Sequence, residues 1–523
     1  MMRCVGKVSM VLAFLVCGVL VAGSPLLAGQ AGAPPVPQGG TLKIATIGEP
    51  PNLDVMTMSA DLVGMIGQHI FEQLFAFDEK YDIRPMLAQS YKAAPDGMTY
   101  TIQLRQGVKF HNGQEMTSAD VVASLIRWTK VASRGKIAAQ SIESIAASDG
   151  QTVVLKLRAP FAPLLSFLAF QVTSAAIMPK AIVDKFGEKM MTEYVGTGPY
   201  RFEDWKPDFR IRLARFAGYS ARTDASSGYA GKKTAYLDAI EFYPVTEAGA
   251  RIAGVESGDY QYAYTVNKEA YPRLSKNPNL MTLVISPGQW GWLIFNKKQG
   301  IAANQGVRQA AQAALNMEPI LRAAYGLPDF YQVDPSYYPK GTAWYSAAGA
   351  KYYNQKNPAL AKQLLAKAGY KNEPLRIMCT KEYEHMYSIG VTAAAQLKEA
   401  GFNVDLQVYD WATVLDRRTK PDIWDAFVTT HGFVPDPSLI TIMSPQYPGW
   451  WDNPEKNDLL AKFNSTTQMT ARKQLWDKLQ ELIYTQVPVI RIGQEKLFDV
   501  ATAKLVNYWP SVWPSFWNVG LAK

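Results

Sequence analysis

The sequence predicts a mixed α/β protein divided between more than one domain. Three observations predict it. Strand patterns and helical patterns alternate from residue 41 to residue 409. A chain of 523 residues exceeds the ~250–300 at which a single hydrophobic core stops growing. Beyond the first 33 residues, no uncharged apolar run approaches the ~20 that a membrane-spanning helix needs.

At the N-terminus, Arg3 and Lys7 precede an apolar run from Val8 to Val21, and Ala31-Gly32-Ala33 places small residues at the −3 and −1 positions of a cleavage site. This is the pattern of a secretory signal peptide over residues 1–33, cut near Ala33 to release an exported, periplasmic protein. Residues 34–40 (PPVPQGG) form a linker. Thr41 to Ile47 alternates as a strand. Leu62, Met65, Ile66, Ile70 and Leu74 recur at helical spacing and predict a helix over 61–77, against the helix-weakening Gly64 and Gly67.

A turn at Pro95-Asp96-Gly97 leads into a strand with Tyr100, Ile102 and Leu104 on one face. Thr117 or Ser118 caps the next helix, Asp120 favours its positive end, and Val121, Val122, Leu125 and Ile126 form its buried stripe. Strands are expected at 151–157, 237–245 and 283–295, then helices within 307–325 and at 358–369. A strand at 374–379, a helix at 386–400 and a strand at 402–409 follow, with Gly369 and Gly401 suited to left-handed helix ends.

Composition narrows the function. The net charge is +9, of which Arg3 and Lys7 supply two, leaving +7 after residue 33. The basic residues are dispersed, without the runs that mark a nucleic-acid partner. Of three cysteines only Cys379 lies beyond residue 33, so the exported chain forms no internal disulfide, and Cys379 sits in an apolar strand as a buried thiol.

Chemistry-bearing motifs are missing. The sequence holds no G-x-S-x-G, H-E-x-x-H, C-x-x-C or phosphate-binding G-x-x-x-x-G-K-[ST], and none of its four histidines lies within five residues of another. No catalytic residue, metal site or cofactor is predicted. Gly196-Thr197-Gly198-Pro199-Tyr200 reads as a structural turn, because Pro199 has no N–H to offer a phosphate. Thirteen tryptophans, several in polar loops, are candidates for a ligand cleft or for interface packing.

Residues 88–122, AQSYKAAPDGMTYTIQLRQGVKFHNGQEMTSADVV, resemble the family 5 extracellular solute-binding proteins, which include dipeptide-, oligopeptide- and nickel-binding members. Further landmarks are Glu49-Pro50-x-Asn52-Leu53-Asp54, the Gly196 loop, Tyr236-Leu237-Asp238-x-Ile240, Phe295-Asn296, Val307-Arg308-Gln309-Ala310, Asp436-Pro437 and Val487-Pro488-Val489-Ile490. The resemblance spans about residues 41–520. It implies a two-lobed periplasmic-binding-protein fold of type II-like character with an inserted subdomain and an interlobe ligand cleft. Residues 41–80, 195–290 and 490–523 would form the first lobe, 81–194 its insert, and 291–489 the second lobe.

The implied function is capture of a peptide or related small polar solute by a monomer, and delivery to an ABC permease in the cytoplasmic membrane. An exported sensory module, a binder of organic acids, opines or sugars, and an exported hydrolase are the rival readings. By the resemblance, Met58 and Arg134 approach the cleft from the first lobe and its insert, and Arg134 either suits a ligand carboxylate or stands as a solvated helix-end charge. The segment from Thr429 to Pro437 matches a cleft-facing loop in which dipeptide binders carry an amino-anchoring Asp three residues before Asp-Pro. That position is Phe433, and a shifted alignment would give the role to Asp436. His431 takes the loop's aromatic position as a hydrogen-bonding pocket residue, a ligand contact or a loop residue, and Phe170-Gln171-Val172-Thr173 lacks the arginine of the nickel binders. Trp290 and Trp292, two apart on a strand, must share a face, turned together to the cleft or inward.

Overall fold

The computed structural model describes residues 35–523, so the signal-peptide expectation lies outside the described residues. Three principal sheets organise the chain. A seven-stranded sheet runs, in spatial order, Leu280–Ile285, Leu497–Thr502, Tyr262–Ala263, Thr41–Thr46, Ala239–Pro244, Arg210–Arg215 and Tyr200–Lys206. A six-stranded sheet runs Tyr331–Gln332, Val489–Glu495, Gln289–Phe295, Ala426–Gly432, Pro374–Thr380 and Asn403–Tyr409. A four-stranded antiparallel sheet, Ala88–Ala93, Thr99–Leu104, Thr152–Leu157 and Ile142–Asp149, completes the set.

The chain passes between the two large sheets by two adjacent routes, one at Ser286-Pro287-Gly288 and one at Lys496. Gly288 N–H donates to the Glu495 carbonyl at 3.1 Å and ties them together. A Cβ on Gly288 would lie 2.5 Å from that oxygen, so only glycine allows the approach. The expected single strand over 283–295 is therefore two strands in different sheets, because Pro287 offers no N–H and Gly288 turns the chain. Positions 290 and 489 both belong to strands of the six-stranded sheet.

Other elements follow local chemistry. The helix Ser118–Val131 begins in a reciprocal box where the Asp120 carboxylate accepts from the Thr117 N–H at 2.9 Å. The helix at 61 stops at Gly67, ten residues short of the expectation, and Phe75–Phe77 is instead a strand paired with Ile83–Pro85. Residues 62–78 are buried throughout, so apolar spacing there does not separate helix from strand. Cys379 is fully buried in its strand, and burial pushes its thiol up to about 11.

His69 joins this region to the C-terminal tail. Its Nδ1 donates to the Met65 carbonyl at 2.9 Å, and its Nε2 accepts the Phe516 N–H at 2.9 Å. Both nitrogens are satisfied only in the neutral ring, and burial pushes the pKa down to about 3. The unfolded chain takes up this proton near pH 6.5 and the folded chain does not, so the stability is fully present above about 6.5 and is lost as pH falls toward 3. His69 alone should remove about 2 kcal/mol between pH 6.5 and 5. Urea midpoints measured across this range check it; a flat profile contradicts it.

Candidate ligand-binding site

A cavity of about 950 Å³ has walls from two groups of segments. One wall carries Asp61, Arg134, Phe167, Phe170 and Trp513, from the part of the chain that builds the seven- and four-stranded sheets. The other carries Trp290, Trp292, His431, Phe433 and Tyr447, from the six-stranded sheet and the loops after it. The two sides touch beside the cavity: the rings of Tyr81 and Phe433 are 4.7 Å apart, and Ala162 N–H donates to the Asn464 carbonyl at 2.7 Å.

The aromatic wall is built by strand pairing. Trp290 and Trp292 lie on one face of Gln289–Phe295, opposite His431 and Thr429 of the neighbouring strand. The two indoles stack at 5.7 Å, and His431 stacks on Trp292 at 4.5 Å. Both indoles are buried and both line the cavity, so the alternatives of cleft and packing are met by the same pair. Neither Nε1–H finds an acceptor among the described residues. His431 is held between Tyr447 Oη at 2.8 Å and Thr441 Oγ1 at 3.2 Å. Burial and the nearby Arg418 push its pKa down to about 3, so it faces the cavity as a neutral ring at physiological pH.

On the opposite wall, Arg134 lies 3.9 Å over the Phe170 ring. Its Nη1 donates to the Val172 carbonyl at 2.9 Å and to Thr173 Oγ1 at 2.7 Å. Its Nε and Nη2 have no acceptor among the described residues, leaving one edge of the guanidinium open. Asp61 is the second charged side chain among the described lining residues. Its Oδ1 accepts from Trp513 Nε1 at 3.0 Å, and the surrounding walls raise its pKa, opposed by the Trp513 hydrogen bond and by Arg134.

Two expected residues stand elsewhere. Met58 is half-buried against the apolar core that underlies the seven- and four-stranded sheets, while its neighbour Ser59 reaches the cavity wall. Asp436 is 2% exposed and does not line the cavity. Arg472 grips it with two nitrogens at 3.0 and 3.1 Å, Ser438 donates from both N–H and Oγ, and Ser166 donates across from the other wall at 2.8 Å. A carboxylate with all these donors has no free oxygen for a ligand ammonium, so the shifted-alignment role of Asp436 is replaced by a structural one.

Two walls of one chain enclosing a polar-and-aromatic cavity, joined by two strand crossings, define a two-lobed ligand-binding protein. The sequence model of bacterial extracellular solute-binding proteins, family 5 Middle, matches residues 82–454, and the chain belongs to that family. It is 28% identical over 495 residues to the probable peptide ABC transporter periplasmic-binding protein y4tO of Sinorhizobium fredii, spanning 90% of this chain and 92% of that one. It is 25% identical over 479 residues to the glutathione-binding protein GsiB of Escherichia coli strain K12, spanning 87% and 89%. The fold superposes on the periplasmic binding protein DppA from Helicobacter pylori, solved with the peptide STSA, with a TM-score of 0.75 and 24% identity, covering 93% of this chain and 99% of that one. Among the described residues no helix is long and apolar enough to cross a membrane.

Proposed function

We propose that this chain captures a small polar solute of the peptide type outside the cytoplasmic membrane, encloses it between two lobes, and hands it to the permease of an ABC importer. The observation that carries this reading is the cavity of about 950 Å³ with one cation, one anion and an aromatic wall. That volume suits a small ligand (~300–1,000 Å³ is usual for such sites), and its two charged side chains are held by hydrogen bonds with the protein. The names of the relatives that span most of the chain support peptide-type ligands.

In this reading the lobes meet at the two crossings, 286–288 and 496, with residues 81–194 inserted in the first lobe. Arg134 takes a ligand carboxylate, and Trp290, Trp292 and His431 pack against the solute's body. Phe433 closes the wall beside Tyr81. Residues 1–33 direct export and are removed near Ala33. The chain acts as a monomer, needs no cofactor and returns its solute chemically unchanged. Ligand biases the lobes toward the closed form that the permease recognises.

Thermal unfolding against a panel of di- and oligopeptides, glutathione, opines, sugars and organic acids tests the reading. A bound solute at 100 times its Kd adds ~2.7 kcal/mol to stability and raises the melting temperature accordingly. A panel that moves nothing at millimolar concentration defeats it.

A further inference from the structure

We propose that Asp61 is the cation anchor of this cleft: it receives the ammonium of a zwitterionic solute whose carboxylate is taken by the open edge of Arg134, so that one wall holds both charges. The inference rests on the solute-binding reading above and names its ligand class.

Three observations lead to it. First, Asp61 and Arg134 are the charged side chains among the described lining residues, and both stand on the same wall. Second, each is held by the protein through only part of its hydrogen-bonding capacity. Asp61 Oδ1 is fixed by Trp513 Nε1, and Oδ2 accepts nothing among the described residues. Arg134 is fixed through Nη1 alone, and the remaining Nε and Nη2 form the parallel donor pair that fits a carboxylate. The two groups feel each other electrostatically but form no ion pair with each other, so neither consumes the other.

Third, among the described lining residues the facing wall has no anion to offer. Phe433 stands where the resemblance calls for an amino-anchoring Asp, and Asp436 is spent on Arg472. An ammonium brought into this cavity therefore has one carboxylate to meet. Asp61 is itself exposed, so its free oxygen is open to an incoming ammonium.

The test is equilibrium dialysis of the full chain against a pool of di- and tripeptides with free termini, and against the same pool N-acetylated, with retention read by mass spectrometry. Wild type is expected to retain the free pool and to hold the N-acetylated pool at least ~10-fold more weakly. Asp61→Asn keeps an oxygen for Trp513 Nε1 and should lose free peptides by a similar factor, with acetylation then costing little more. The wild-type comparison reads the same contact even if the variant folds poorly. Equal retention of both pools by wild type, or unweakened retention of free peptides by a folded Asp61→Asn, overturns the anchor and leaves solute binding intact. Retention of neither pool overturns the inference, and the wider thermal panel shows separately whether the solute-binding reading falls with it.

Discussion

Asp436→Ala is expected to lower the unfolding free energy by about 3–5 kcal/mol. The side chains of Asp436 and Arg472 are 3% and 6% exposed, and the pair is bidentate. Removing the carboxylate leaves the Arg472 guanidinium buried against Phe463 and Trp344 without a counter-charge. It also strands the Ser166 hydroxyl, whose bond to Asp436 crosses between the two walls. Burial alone would raise the Asp436 carboxyl, but Arg472 and Ser438 outweigh it and hold it below the ordinary value, so the pair persists at neutral pH. Urea unfolding measures the loss. Adding Arg472→Met to Asp436→Ala should recover much of it, because a well-packed apolar replacement removes the desolvation cost of both charges. If Asp436 were instead a ligand anchor, its removal would cost affinity and leave the urea midpoint nearly unchanged.

Arg134→Ala is expected to weaken a carboxylate-bearing ligand by about 2–5 kcal/mol. The guanidinium sits between Phe170 and the cavity, and the walls that bury it push its pKa down to about 10, still fully charged at neutral pH. A ligand carboxylate would meet two donors in one plane, which an ammonium cannot reproduce. Arg134→Lys should therefore recover only part of the affinity. Calorimetric titration with a bound peptide and its C-terminal amide separates the contributions: amidation should be costly in wild type and nearly free in Arg134→Ala. Unchanged affinity in the alanine variant removes Arg134 from the site.

The fold was most legible where one face is wet. Tyr100, Ile102 and Leu104 alternate with exposed positions, and the strand Thr99–Leu104 follows that pattern. Gly369 and Gly401 end their helices at φ +73° and +93° as their sequence context suggests. Where both faces are buried, as over residues 62–78, periodicity carries no information, and helical spacing continues past the true helix end at Gly67. The break at Pro287 and Gly288 was lost inside a run of apolar residues that serves two sheets.

The site was legible only in part, for a related reason. Trp290 and Trp292 announce a shared face by their spacing, and the structure places both on the cavity wall. Asp61 gave no local signal, since its meaning depends on Trp513, 452 residues away. Asp436 looked like a spare carboxylate because Arg472, which neutralises it, lies on a helix whose packing the sequence does not reveal.

The central claim is reversible capture of one solute between the lobes, without chemistry. The most direct measurement is titration of the full chain with a ligand found in the thermal panel, followed by denaturation and mass analysis of what is released. One solute bound per chain and recovered unchanged is the predicted result. A released molecule altered by bond cleavage or group transfer would contradict it.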